Sequence, residues 1–144
     1  ARLNHNLSWF RSLKDTVNTK KVDEILDLVG LHDEQFVISS ELPEGKKKLL
    51  DVAMALALEP KLLIMDEPTS GVASEDKHPL MKTIMGALEE RRVTSWFVEH
   101  DVEIVSTYAT RVAAWISGAI AADGPPAEVL NDPKIISEVL GGDL

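Results

Sequence analysis

Lys61-Leu62-Leu63-Ile64-Met65-Asp66-Glu67-Pro68-Thr69-Ser70-Gly71 is the stretch on which the reading of the fold turns. Leu62 to Met65 form an unbroken apolar run that ends on two adjacent carboxylates, Asp66 and Glu67. A short apolar run closed by a breaker reads as a buried strand, covered on both faces. Pro68 has no amide to give to a ladder, so the two acids sit where the strand emerges. In open α/β sheets that carboxyl edge is where ligands bind. Asp66 can hold Mg²⁺, directly or through water, because a hard cation prefers oxygen. Glu67 can orient or deprotonate an attacking water. The alternative is a solvated acidic pair at a strand end.

Downstream of this stretch, Ser74 is expected as an N-cap, with Glu75 and Asp76 in the first turn of a helix reaching about Arg92. Pro79 falls close to the start, so the helical ladder is expected to begin there. Val93 to Val98 is β-branched and aromatic and reads as a second buried strand. It ends in Glu99-His100-Asp101. If the two strands are neighbours, Asp66, Glu67 and His100 converge on one edge. His100 can there donate a hydrogen bond to a phosphate oxygen or a water; a structural histidine is the alternative. His5, His32 and His78 read as surface residues. Asp101 caps a helix to about Ala109 carrying Val102, Val105 and Tyr108. Arg111 to Ile116 is a third strand, Ser117-Gly118 a tight turn, and Ala119 to Ala122 the return strand of an antiparallel hairpin. After the Gly124-Pro125-Pro126 break, two short helices are expected, about Ala127 to Asn131 and Pro133 to Leu140.

Upstream, Val22, Ile25, Leu26 and Val29 fall at helical spacing from about Lys20, with Gly30 as C-cap. Leu31 to Ser40 is a polar connector. Leu42-Pro43-Glu44-Gly45-Lys46 precedes a second helix with Leu49, Leu50, Val52, Ala53, Leu56 and Ala57 as its stripe, ended by Pro60. Free amides at that helix start attract anions, and its lysines add positive charge; lysines facing water are the alternative. Residues 1 to 19 are polar, with Trp9 and Phe10 as possible anchors. Strand, helix, strand, helix, strand is the α/β pattern of a parallel sheet.

The 144 residues amount to one domain and carry a net charge of −9. That argues against a nucleic-acid groove, which needs a basic footprint, and disfavours an anionic membrane surface. There are no cysteines, so a disulfide scaffold and a thiolate zinc site are excluded. No apolar run reaches the ~18 residues of a membrane span. No signal peptide is read at the start. The expectation is a soluble, cytoplasmic protein. Ala1 at the start is consistent with a cut or processed piece of something longer.

The order of elements from Leu42 onward resembles the C-terminal half of an ABC-type ATPase, the ATP-binding subunit of an ABC transporter. Leu62 to Glu67 is similar to the Walker B strand and its following glutamate. Residues 71 to 76 resemble the D-loop, Val98-Glu99-His100-Asp101 the switch-histidine segment, and the helix from Lys46 the one behind the signature loop. The tail from Gly124 to Leu130, with Asn131-Asp132-Pro133 and Leu140-Gly141, is similar to the ATPases of branched-chain amino-acid importers. The fold so implied is α/β, a truncated P-loop NTPase-like sheet whose central Walker A strand is missing. Residues 1–60 would belong to the helical, signature-bearing part, 61–123 to a partial ATPase core, and 124–144 to C-terminal helices.

The resemblance implies ATP and Mg²⁺ as cofactors. Asp66 would hold Mg²⁺ through water, Glu67 would polarise the hydrolytic water, and His100 would contact the γ-phosphate. Leu42, Pro43, Glu44, Gly45 and Lys46 would present a helix start to ATP on a second subunit, with Gly71 and Ser74 carrying contacts across the dimer. Partners would be a missing N-terminal half and a membrane permease, which would place the subunit at the inner face of the membrane.

The sequence departs from the family in several ways, among them Val72-Ala73-Ser74 where the family usually has Leu, then Asp or Asn, then Pro. No Gly-x-x-x-x-Gly-Lys-Ser/Thr loop occurs in the 144 residues. The signature segment has Pro43 for Ser, Glu44 for a small or neutral residue and Lys46 for Gln, so Glu44 would bring negative charge toward a phosphate. The expectation is therefore a chain that neither binds nor hydrolyses ATP alone. The alternative is a free-standing interaction module or a mobile-element relic. With the central strand missing, the flanking strands either close on each other or leave a gap filled from elsewhere. That gap motivates a homodimer or a domain-swapped assembly.

Overall fold

A computed structural model of the protein describes residues 19–138. The expected anchors Trp9 and Phe10 and the Leu140-Gly141 end of the tail lie outside the described residues. Within them the chain forms two compact units, residues 19–65 with 69–96, and residues 66–68 with 97–138.

The first unit begins with α1, Thr19–Leu28. Its end is a Schellman motif. Gly30 adopts φ +67, its amide donates to the Asp27 carbonyl at 3.1 Å, and the Leu31 amide donates to Leu26 at 2.8 Å. Val29 and Leu31 are thereby turned inward and are fully buried. The connector is not irregular throughout but winds two 3₁₀ turns, His32–Glu34 and Ser39–Glu41. Helix α2 is Glu44–Leu56, starting two residues before the expected Lys46. Pro43 is the reason. As N-cap its fixed φ of −57 suits the position, its missing amide is not needed there, and its carbonyl accepts the first rung from Lys47 at 3.0 Å. Val52, Ala53 and Leu56 are the buried positions of α2.

Strand β1, Leu62–Asp66, pairs with β2, Thr94–Val98. Near one end the Lys61 carbonyl accepts from the Thr94 amide at 3.0 Å; near the other the Val98 carbonyl accepts from the Glu67 amide at 2.9 Å. Both numbers rise together, so the pair is parallel. The expected cover on both faces is not found. Met65 is buried and Leu63 half-buried, while Leu62 and Ile64 face outward. In β2, Ser95 and Phe97 are half-buried while Trp96 and Val98 are exposed. Apolar residues at both parities of a strand conceal which face is covered.

Helix α3, Ser74–Glu90, connects the two strands and packs on α2; its buried residues are Leu80, Met81, Ile84, Ala87 and Leu88. Its N-cap is Ala73 rather than Ser74, and Pro79 lies inside the helix rather than at its start. Arg91 and Arg92 follow the helix instead of ending it, with the Val93 amide reaching Leu88 at 2.8 Å.

The second unit holds α4, Val102–Tyr108, capped by Asp101, whose carboxylate accepts from the Glu103 and Ile104 amides at 3.2 and 3.4 Å. Its fully buried residue is Ile104, while the expected Val102, Val105 and Tyr108 are half-buried. β3, Val112–Ile116, and β4, Ala119–Gly124, form the antiparallel hairpin. Ser117 at φ +49 and Gly118 at φ +80 make its turn type I′, which matches strand twist. Two short helices follow, α5, Pro126–Val129, and α6, Pro133–Glu138. Ala114, Val129 and Ile135 form the core here, with Val112, Ile116 and Ala122 packed against it. The described strands form two two-stranded sheets, the parallel pair β1–β2 and the antiparallel hairpin β3–β4.

Arg111 and Asp123 clasp the open end of the hairpin through two hydrogen bonds of 2.7 and 2.8 Å. The Arg111 hydrogen bond holds the Asp123 carboxyl below the usual aspartate range. A depressed carboxyl stabilises the fold above its unfolded pKa, and that contribution is lost as pH falls through the folded value. Wild type is therefore expected to be more stable than Asp123→Asn at neutral pH, with the gap closing in acid. Denaturation of both across a pH series checks this; a gap independent of pH would refute it.

Candidate functional site

The parallel pairing of β1 and β2 brings their carboxyl tips side by side, which places the acidic pair and the histidine. Glu67 follows β1 and its amide is bonded to Val98, the last residue of β2. His100 is two residues further on. The His100 Nε2 lies 3.3 Å from the Glu67 Oε1. Both side chains are open to solvent, His100 largely and Glu67 in part. Asp66 ends β1 and is exposed.

Glu67 carries a second feature. Its φ is +46, in the left-handed region that L-residues other than Asn, Asp and Gly rarely enter. The chain reverses there immediately before Pro68, which is buried. A glutamate held in this conformation beside a histidine is a local cost that packing of the strand tip sustains.

The segment expected to face a nucleotide from the other subunit lies in the first unit. Leu42 is buried, so its side chain belongs to the core and only its backbone is available. Pro43 is the cap, and Glu44, Gly45 and Lys46 form the first helical turn of α2. The lysines are engaged. Lys46 Nζ bonds to Glu34 Oε1 in the first 3₁₀ turn, and Lys47 Nζ bonds to Glu44 Oε2 at 3.3 Å. Sequence reading did not single out Glu34. No periodicity links it to Lys46, twelve residues away, since the connector's turns are set by tertiary packing.

Gly71 is fixed twice over. Its φ is +77, and a Cβ there would meet Glu44 Cγ at 3.3 Å. A Cβ on Gly45 would find Val72 at 3.9 Å, an ordinary contact. The signature-like and D-loop-like segments thus touch within this unit, through Glu44 and Gly71. Ser74 is exposed at the start of α3. Of the remaining histidines, His32 lies 3.0 Å from Asp27 and is exposed, His78 is half-buried, and His5 is outside the described residues. Among the described residues no group of three or more histidine, cysteine or acidic side chains is placed to hold a metal.

Comparison with known proteins places these features in context. The family model for ABC transporters matches residues 2–70. The "Probable branched-chain amino acid transport ATP-binding protein LivG" of Archaeoglobus fulgidus is 32% identical over 143 residues, covering 97% of this chain and 54% of that protein. The energy-coupling factor transporter ATP-binding protein EcfA of Methanothermobacter thermautotrophicus is 32% identical over 117 residues, 81% of this chain and 37% of that protein. Among solved structures, the ADP conformation of an ATP-binding cassette of an ABC transporter aligns with a TM-score of 0.75 at 29% identity, over 93% of this chain and 53% of that one. The cbiO1 protein of Clostridium perfringens aligns with a TM-score of 0.75 at 30% identity, over 89% and 51%. The chain spans between about a third and about half the length of the curated relatives named here.

The left-handed backbone at Glu67 makes a prediction that separates strain from side-chain chemistry. Glu67→Gly and Glu67→Ala both remove the contact to His100, but only glycine relieves φ. The glycine variant is expected to be the more stable of the two by about 0.5–1 kcal/mol. Equal melting temperatures would refute a strained tip.

Proposed function

The chain belongs to the family of ABC transporter ATP-binding subunits, and on that premise we propose that it carries the hydrolytic residues of such a subunit, coupling ATP hydrolysis to import of an amino-acid-type solute. The single observation that carries this reading is the approach of Glu67 and His100 to 3.3 Å at the tips of two paired parallel strands. In this reading residues 1–60 belong to the helical, signature-bearing part, 61–123 to the ATPase core, and 124–144 to the C-terminal helices. The partners are a second ATP-binding subunit and a membrane permease, with the subunit at the inner face of the membrane. Among the described residues no helix is long and apolar enough to cross a membrane.

The donor chemistry at the strand tip suits Mg²⁺. That ion keeps several waters and takes one or two carboxylates, with phosphates completing its shell, rather than a cage of protein ligands. Asp66 would hold it, and the ion would supply positive charge opposite the phosphates when bound. Glu67 accepts a hydrogen bond from the attacking water and draws its proton as the oxygen becomes nucleophilic. His100 orients the Glu67 carboxylate through Nε2 or turns that nitrogen as a donor toward a phosphate oxygen. The exposed position of all three side chains leaves them accessible to a nucleotide.

The fit to the nucleotide itself is poorer. The phosphate-cradling loop is not in these 144 residues, and that loop supplies most of the grip on ATP. At the start of α2, Lys46 and Lys47 already satisfy Glu34 and Glu44. The chain by itself is therefore a poor ATP binder and not a competent ATPase. The same paired lysines, with Pro43 in place of a hydroxyl, favour the second reading, a non-catalytic interaction module or relic derived from an ABC ATPase.

Calorimetry of the chain with ATP and Mg²⁺ is expected to show no binding tighter than about 1 mM; micromolar binding would overturn the claim of weak grip. In a subunit completed with a phosphate-loop half, Glu67→Gln is expected to slow turnover about 10²-fold or more while leaving ATP bound. An unchanged rate would remove Glu67 from the chemistry and leave the interaction-module reading in its place.

A further inference from the structure

The connector between α1 and α2 is anchored by apolar burial at its two ends, at Leu31 and Leu42. Between them its backbone closes local turns, the Val37 amide donating to the Glu34 carbonyl at 2.9 Å and the Glu41 amide to Ile38 at 2.8 Å. Such turns fix how the connector curls, not where it sits. Two side-chain contacts seat its first turn. His32 Nδ1 lies 3.0 Å from Asp27 of α1, and Lys46 of α2 donates to the Glu34 carboxylate, twelve residues away. The Glu34 side chain is only 20% exposed. A carboxylate drawn that far from water is costly without a partner, so its place depends on Lys46.

Lys46 lies in the first turn of α2, and that turn is packed on a second loop. A Cβ at Gly71 would meet Glu44 Cγ at 3.3 Å, and one at Gly45 would meet Val72 Cγ1 at 3.9 Å. The Glu44 carboxylate is held in turn by Lys47 Nζ at 3.3 Å. The approach at Gly71 is too close for a larger residue, so the positions of Glu44 and of that loop are set together. Contacts thus run from Glu34 in the connector, through the first turn of α2, to the loop at Gly71 that leads into α3. Every member belongs to the first compact unit.

We propose that the Glu34–Lys46 pair is a latch that couples the seating of the connector to the signature-like turn of α2 and, through Glu44, to the loop at Gly71. With the pair closed, the three segments hold one arrangement. With Lys46 neutralised, Glu34 is left as a half-buried charge without its counter-ion and draws the connector toward water. The bonds at the start of α2 and at Gly71 then open more often. The latch acts on the same turn that the hydrolytic reading faces toward a nucleotide, but it operates without one and stands whether or not that reading holds.

Native-state hydrogen exchange of the whole chain, read at single amides without nucleotide, tests it. Three hydrogen-bonded amides report on the three segments: Val37 in the connector, Lys47, which donates to Pro43 at 3.0 Å, and Val72, which donates to Thr69 at 3.2 Å. Ile84, fully buried in α3, is the control. Glu34→Gln and Lys46→Gln are each expected to speed exchange about fivefold or more at all three reporters and to leave Ile84 unchanged. The Glu34→Gln/Lys46→Gln double variant is expected to exchange no faster than either single, because with both charges removed none is left unpaired. Single effects that multiply in the double variant overturn the latch. So does exchange unchanged in the single variants, faster exchange that stops at Val37 or Lys47, or an equal rise at Ile84, which marks general loosening.

Discussion

The structure depends on the parallel pairing of Leu62–Asp66 with Thr94–Val98. A parallel pair cannot be joined by a tight turn; it needs a crossover of a dozen residues or more, usually a helix. Here that crossover holds Ser74–Glu90, which gives its apolar side to the helix Glu44–Leu56. The packing of two helices therefore fixes where the strands run, and the strands fix where their tips meet. The last rung, from the Glu67 amide to the Val98 carbonyl, is also what brings a carboxylate within reach of His100. Chemistry at the tip is inherited from backbone geometry below it.

Much of this was legible in the residues, for reasons that differ from place to place. Gly30 announced the end of its helix because few residues other than glycine enter the left-handed region without strain, and Asp101 announced a start because a carboxylate satisfies orphan amides. Ser117-Gly118 announced a tight turn in the same way, and the structure makes it type I′. The strand carrying Asp66 and Glu67 was found from its apolar run and its proline. Its one-sided burial was not, because a run with apolar residues at both parities carries no information on which face is covered. Ser74 was expected as a cap and is instead the first helical residue. A serine at a plausible position cannot be distinguished from one a residue too late when no partner amide is known.

The first turn of Glu44–Leu56 illustrates a second kind of illegibility. Three lysines in succession at a helix start read as positive charge held out to an anion. In the folded chain Lys46 is bonded to Glu34 and Lys47 to Glu44, so two of those charges are answered locally. Glu34 comes from a 3₁₀ turn whose position follows from burial of Val29 and Leu31, not from any local propensity. Electrostatic character at that helix start is thus a tertiary property. The Glu67–His100 approach was easier to foresee, since strand ends in a parallel sheet are brought together by topology alone.

Pro79 has a consequence for how the crossover helix behaves. A proline at that point leaves the carbonyl of Glu75 without the amide that would close its turn, and the buried residues of the helix begin only at Leu80. The stretch from Ser74 to His78 therefore holds none of the helix's buried residues and lies before the gap in its ladder. It is a leading turn that lacks one rung of the helix ladder, beside a buried stretch from Leu80 to Leu88. Amides on the two sides of the proline should then exchange with solvent on separate clocks.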